Sequence, residues 1–103
     1  MSVKVPAFHP GEILKDLYLE PLGISPIGLS KLLGVNRQRI ERLVKGTNGM
    51  SPDTANRLAK AFSTTPQYWM NLQLAWDLQE LDQDAEMQKA LEEIEPIALE
   101  EAA

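Results

Sequence analysis

With 103 residues, 44% of them apolar and 24% charged, the chain has the size and balance of one globular domain. It contains no cysteine and one histidine, which excludes disulfides, thiolate metal sites, thiol nucleophiles and His-rich metal centres. No run of about 18 apolar residues and no leader-like N-terminus is present, so a cytoplasmic protein with no membrane association is expected; its formal charge of −5 argues against a polyanionic partner until the distribution of charge is considered.

An N-terminal arm, residues 1–8, precedes His9-Pro10-Gly11-Glu12, which reads as a helix start. Ile13, Leu14, Leu17 and Tyr18 follow at helical spacing, and the helix should end near Pro21 and Gly23. Ser25-Pro26 opens the second helix by pairing a capping oxygen with a proline suited to the first helical position. That helix should run to Leu33 and stop at Gly34. After Val35, Asn36 is a new N-cap, and Arg37 to Lys45 forms a third helix closed by Gly46. Two short helices joined by a turn this tight form a helix-turn-helix pattern over residues 25–46. Ser51-Pro52 starts a fourth helix, with Ala55, Leu58, Ala59 and Phe62 inward, and Thr65-Pro66 starts a fifth that runs to about Leu81. The spacing predicts an all-α bundle of five short helices over residues 9–81. An acidic tail, residues 82–103, follows; Met87, Leu91 and Ile94 mark a weaker helix in it, broken by Pro96.

The charge divides along the chain. In the tail, Asp82, Asp84, Glu86, Glu92, Glu93, Glu95, Glu100 and Glu101 face Lys89 alone, a charge of −7. Between Ser25 and Phe62, seven bases face only Glu41 and Asp53, a charge of +5. At 100° per residue, Leu43 and Val44 lie within about 60° of Ile40, whereas Gln38, Arg42 and Lys45 lie within about 40° of the opposite side. One face of the third helix packs and the other is presented. Arginine can bond guanine O6 and N7 bidentately, and glutamine can do the same to adenine N6 and N7. Arg37, Gln38 and Arg42 are therefore the candidate base readers. Ser25, Lys31, Asn36, Arg39, Lys45, Thr47 and Asn48 are candidates for the DNA backbone, through charge or through N–H groups at helix starts. Glu41 could pair with an arginine, accept from cytosine, or repel phosphate.

Several segments together resemble a known family: His9-Pro10-Gly11-Glu12, Leu19-Glu20-Pro21-Leu22-Gly23, Leu32-Leu33-Gly34-Val35-Asn36-Arg37-Gln38, Leu58-Ala59-Lys60-Ala61-Phe62 and Trp69-Met70-Asn71-Leu72-Gln73. The chain resembles the HigA antitoxins, or VapI-type virulence-associated proteins, of the Xre and phage-repressor helix-turn-helix superfamily. The resemblance spans about Phe8 to Leu81 in unbroken order. It implies a lambda-repressor-like fold and a homodimer that represses its own promoter at a palindromic operator. It further implies neutralisation of a HigB-type, mRNA-cleaving toxin, and it puts Arg37, Gln38 and Arg42 where superfamily members carry base-reading side chains. A stand-alone helix-turn-helix repressor without a toxin is the alternative.

The remaining features carry weaker signals. His9 with Glu12 offers too few ligands for a metal, and neither a metal nor a cofactor is expected. No nucleophile or phosphate-binding motif is present, so an enzyme would have to rest on carboxylates such as Glu12 and Asp16. The helix from Pro66 to Leu81 carries more apolar surface than a short core helix needs, and Trp69, Leu72 and Trp76 are the candidate dimer contacts. The acidic tail could solubilise the chain, dock a basic toxin, or lie on the chain's own basic helix.

Overall fold

A computed structural model describes residues 6–99, which form six helices and connecting turns with no strand among them. Helix α1 spans residues 10–22; α2 is Pro26–Leu33, α3 Arg37–Lys45, α4 Pro52–Phe62, α5 Pro66–Asp82 and α6 Ala85–Glu92. Every start has a side-chain cap, each contributing about 1 kcal/mol by offsetting a free helix N–H. Ser25 Oγ accepts from Gly28 N–H at 3.0 Å, Asn36 Oδ1 from Gln38 at 2.7 Å, Ser51 Oγ from Thr54 at 3.2 Å and Thr65 Oγ1 from Tyr68 at 3.1 Å. His9 Nδ1 does the same for Gly11 at 3.0 Å. In the acidic tail, Asp84 Oδ1 accepts from both Glu86 and Met87, so this segment too forms a capped helix. Residues 1–5 of the N-terminal arm, and Glu100 and Glu101 of the tail, lie outside the described residues.

Helix α1 departs from the simple periodic expectation. It is α-helical over Pro10–Ile13 and Glu20–Leu22 but winds as a π-helix over Leu14–Leu19, with Glu20 N–H bonding the Lys15 carbonyl. Pro21 cannot donate to the carbonyl four residues back, and its ring would crowd that carbonyl in a regular helix; the wider turn lies immediately before it. The winding changes which residues face inward. In an α-helix, Leu19 would point about 140° away from Leu14, whereas a π turn brings residues five apart onto one side. Leu19 is accordingly 3% exposed beside buried Leu14, and Leu17, expected inward from its spacing, is 61% exposed.

The core is built from Leu14, Leu29, Leu33, Ile40, Leu43, Met50, Ala55, Leu58 and Trp69, all buried. Helix α2 packs on α3, α4 on α5, and α1 on both α3 and α5. The contact between α1 and α3 depends on Gly11: a Cβ there would lie 1.7 Å from the Leu43 carbonyl oxygen. Two helix backbones can approach this closely only across a residue without a side chain.

Trp69 corrects one expectation. Predicted at a dimer face, it is 0% exposed within the chain's own core, with Nε1–H donating to Thr64 Oγ1 at 2.7 Å and its ring 5.1 Å from Tyr18 and 5.0 Å from Tyr68. No surface of Trp69 remains for a partner. Leu72 is half-buried and packs on the same core. Trp76 is also half-buried, set edge-on to His9 with ring centroids 5.5 Å apart. On the exposed side of α5 stand Leu74, Leu78 and Leu81.

Candidate nucleic-acid interface

The corner between α2 and α3 turns at Gly34, whose φ of 71° and ψ of 36° lie in the left-handed region. A Cβ there would meet nothing closer than an Arg57 nitrogen at 3.6 Å, so backbone conformation and not space requires glycine. Gly34 N–H bonds the Lys31 carbonyl, Val35 N–H bonds the Ser30 carbonyl, and the Arg57 guanidinium donates to the Leu33 carbonyl at 2.7 Å. Three donors thus satisfy the Ser30, Lys31 and Leu33 carbonyls at the end of α2.

Helix α3 has its two expected faces. Ile40 and Leu43 are buried and Val44 half-buried, while Arg37, Gln38, Arg42 and Lys45 are exposed. Ser25 and Asn36 spend their side-chain oxygens as caps, leaving the first-turn N–H groups of α2 and α3 as what an anion could meet. Lys31 is exposed on α2. Beyond α3, the N–H groups of Thr47 and Asn48 and the Thr47 hydroxyl all donate to the Arg42 carbonyl, fixing the turn that follows. Both side chains stand at the surface.

Arg39 is committed to a contact that local sequence does not reveal. Its guanidinium pairs with Asp53, the second residue of α4, and the same carboxylate oxygen accepts from Arg57 Nε at 3.0 Å. Hydrogen bonds from Arg39 and then Arg57 hold the Asp53 carboxyl below its ordinary pKa. Asp53 and Arg57 stand one helical turn apart, a pairing visible in the sequence; the link to Arg39 exists only once α3 and α4 are packed. Sequence reasoning missed both residues. The bridge ties the first turn of α3, which bears Arg37 and Gln38, to the first turn of α4.

At the other end of α3, His9, Glu12, Lys15, Lys45, Gly46 and Trp76 surround a shallow notch. Burial lowers the His9 pKa below its ordinary value, outweighing the raising effects of Asp77, Glu12 and the Asn48 backbone. Its Nδ1 must be unprotonated to accept from Gly11. A histidine whose folded pKa lies below the unfolded value contributes stability above about pH 6.5, and loses it as pH falls through the folded pKa. The melting temperature should therefore drop between about pH 7.5 and 5.5, and His9→Asn, which keeps a capping acceptor, should flatten that drop. Parallel wild-type and variant melting profiles would dissociate His9 from the effect.

Known proteins agree with this geometry. Residues 14–69 match the helix-turn-helix family. The chain is 44% identical over 81 residues to virulence-associated protein I of Dichelobacter nodosus, covering 79% of this chain and 75% of that protein. It is 41% identical over 68 residues to antitoxin HigA-1 of Vibrio cholerae, covering 66% and 64% of the two chains. The solved structure of Pseudomonas aeruginosa antitoxin HigA with the higBA promoter superposes with a TM-score of 0.82 at 38% identity, over 90% of this chain and 100% of that one. The chain belongs to the HigA- and VapI-like helix-turn-helix family.

In this HigA- and VapI-like chain, α2 and α3 are the helix-turn-helix of a lambda-repressor-like bundle, and α6 is an added sixth helix. A helix-turn-helix regulator works through a DNA-binding surface and not through a catalytic constellation. Among the described residues no group of three or more acidic or histidine side chains could hold a metal, and no helix is long and apolar enough to cross a membrane.

Proposed function

We propose that the chain is a cytoplasmic, autoregulatory antitoxin that binds a palindromic operator as a homodimer and neutralises a HigB-type, mRNA-cleaving toxin. The observation that carries the DNA half of this reading is the outer face of α3, where Arg37, Gln38 and Arg42 stand exposed opposite buried Ile40 and Leu43. Similarity to an antitoxin solved with its promoter supports DNA binding and the antitoxin role. Arg37, Gln38 and Arg42 read base edges; Lys31, Lys45, Arg39, Thr47, Asn48 and the capped starts at Ser25 and Asn36 position the helix on phosphates.

Titration of operator and unrelated duplex over a range of salt tests this division. Arg42→Ala or Gln38→Ala should cost about 1 to 3 kcal/mol at the operator and flatten sequence preference. Lys45→Ala should weaken both duplexes alike and reduce the salt slope by about one. Identical behaviour of the two classes would mean that α3 does not read bases. The toxin half is tested by expressing the neighbouring small reading frame with and without this chain. Growth arrest with mRNA cleavage, relieved by co-expression, supports the antitoxin, and a harmless neighbour leaves a stand-alone repressor.

Dimerisation would set two recognition helices about 34 Å apart, matching successive major grooves. Helix α5 is the proposed contact, through the outer edges of Leu72 and Trp76 but not Trp69. Leu74, 56% exposed, lies about 160° round α5 from both and serves as the control. Leu72→Asp or Trp76→Ala should lower dimer mass and operator affinity, whereas Leu74→Asp should leave both unchanged. Unchanged dimer mass and operator affinity in the Leu72 and Trp76 variants would place the contact elsewhere.

A further inference from the structure

Gln73 on α5 belongs neither to the exposed face of α3 nor to the apolar core. It is half-buried, and its Oε1 accepts from the Met50 N–H at the end of the turn that follows α3. Its Nε2 donates to Asp77 Oδ1 at 2.8 Å, one helical turn further on. A carboxylate can only accept and a backbone N–H can only donate, so the two partners together fix which way the amide points. Gly49 lies directly against it: a Cβ there would sit 2.9 Å from Oε1. On the same side of α5, Trp76 stands edge-on to His9, whose ring lies 3.8 Å from where a Cβ on Gly46 would be. Helix α5 thus reaches the turn at both ends.

The segment held in this way is the one assigned to the DNA backbone. Two of the five residues from Gly46 to Met50 are glycines, which leaves the turn little conformational preference of its own. Bonds to the Arg42 carbonyl fix its first half, and Gln73 fixes its second. Thr47 has already given its hydroxyl hydrogen to that carbonyl, so Asn48 offers the side-chain donor for a phosphate. Without the Gln73 acceptor the Met50 N–H must turn to water, and the end of the turn loses its tie to α5. A turn that orders itself only on binding costs affinity on every duplex, because phosphates carry no sequence.

We propose that Gln73 is a positioning residue for DNA binding, holding the turn after α3 so that Asn48 meets the DNA backbone. The inference rests on the assignment of Asn48 to phosphate and adds α5 to the elements that set that contact.

The full chain and its variants, titrated with operator and unrelated duplex, test it. Gln73→Met keeps the length of the side chain but not its amide, and should lower both affinities by the same factor, about three- to tenfold, leaving their ratio unchanged. In an Asn48→Ala background the same substitution should change them by less than about twofold, a coupling that a general loss of stability does not produce. Gln73→Glu with Asp77→Asn exchanges the polarity of the pair at constant charge, keeps an acceptor for Met50, and should restore binding to within about twofold. Hydrogen exchange at the Met50 amide should quicken in Gln73→Met and slow again in that double variant. Should Gln73→Met fail to fold, Gln73→Asn, too short to reach Met50, should show the same pattern. Unchanged exchange at Met50, or an equal loss with and without Asn48, would overturn the proposal. Full affinity in Asn48→Ala would overturn the phosphate assignment and the proposal with it, whereas a loss there beside full affinity in the Gln73 variants would overturn the role of Gln73 alone.

Discussion

Gly11→Ala should destabilise the chain by about 3 kcal/mol or more, lowering its melting temperature by about 12 °C or more. The added methyl would sit 1.7 Å from the Leu43 carbonyl oxygen and 2.6 Å from its carbon, and neither atom can swing away as a flexible side-chain end could. Relief requires α1 to move off α3. Because Leu43 is the inward anchor of the recognition helix, the same displacement should weaken operator binding although no DNA contact is altered. Gly34→Ala is the informative comparison. Its methyl makes only ordinary contact with an Arg57 nitrogen but keeps a left-handed φ, so its cost should stay near 1 to 2 kcal/mol. Denaturant titration of the two variants checks the order; equal losses would mean that α1 and α3 are less tightly opposed than the geometry requires.

Trp69→Ala should cost about 3–5 kcal/mol, the range for emptying a large aromatic from a packed core. The substitution removes the ring from contact with Tyr18 and Tyr68 and deprives the Thr64 hydroxyl of its indole donor. Trp69→Phe should lose less, because much of the apolar volume remains while the indole hydrogen bond is lost. The dependence on concentration separates this core role from the dimer role first expected of the residue. A core defect lowers stability equally at low and high protein concentration, whereas an interface defect makes the loss depend on association. Calorimetry at two concentrations should give the same shift.

The Trp69 result shows where periodicity stops being informative. Its position in α5 is compatible with either a core or an interface, since both demand an apolar face, and only the aromatic neighbours from α1 and α4 decide which. The π turn in α1 is a second case. Pro21 is plain in the sequence, but the number of residues that the chain uses to accommodate it sets whether Leu17 or Leu19 turns inward. At the end of α4 no glycine marks the stop; Ser63 takes the left-handed conformation instead, with φ of 55°, and its N–H bonds the Ala59 carbonyl.

Helix ends and the inner and outer faces of α3 were legible because they depend on residues within one turn of each other. Ser25, Asn36, Ser51 and Thr65 cap through bonds to residues two or three positions ahead, and Gly34 turns the corner through its own φ. Ile40 and Leu43 lie inward on the same periodicity that turns Arg42 outward. The pairing of Arg39 with Asp53, the Arg57 bond to α2, the Gly11 approach to Leu43 and the Gln73 bond to the turn after α3 each join residues from different elements. Short-range hydrogen bonding and helical periodicity are written in consecutive residues, whereas a long-range contact exists only after whole helices have packed; tertiary structure alone therefore decided which side chains tie the recognition helix to its neighbours and which apolar ones stay exposed.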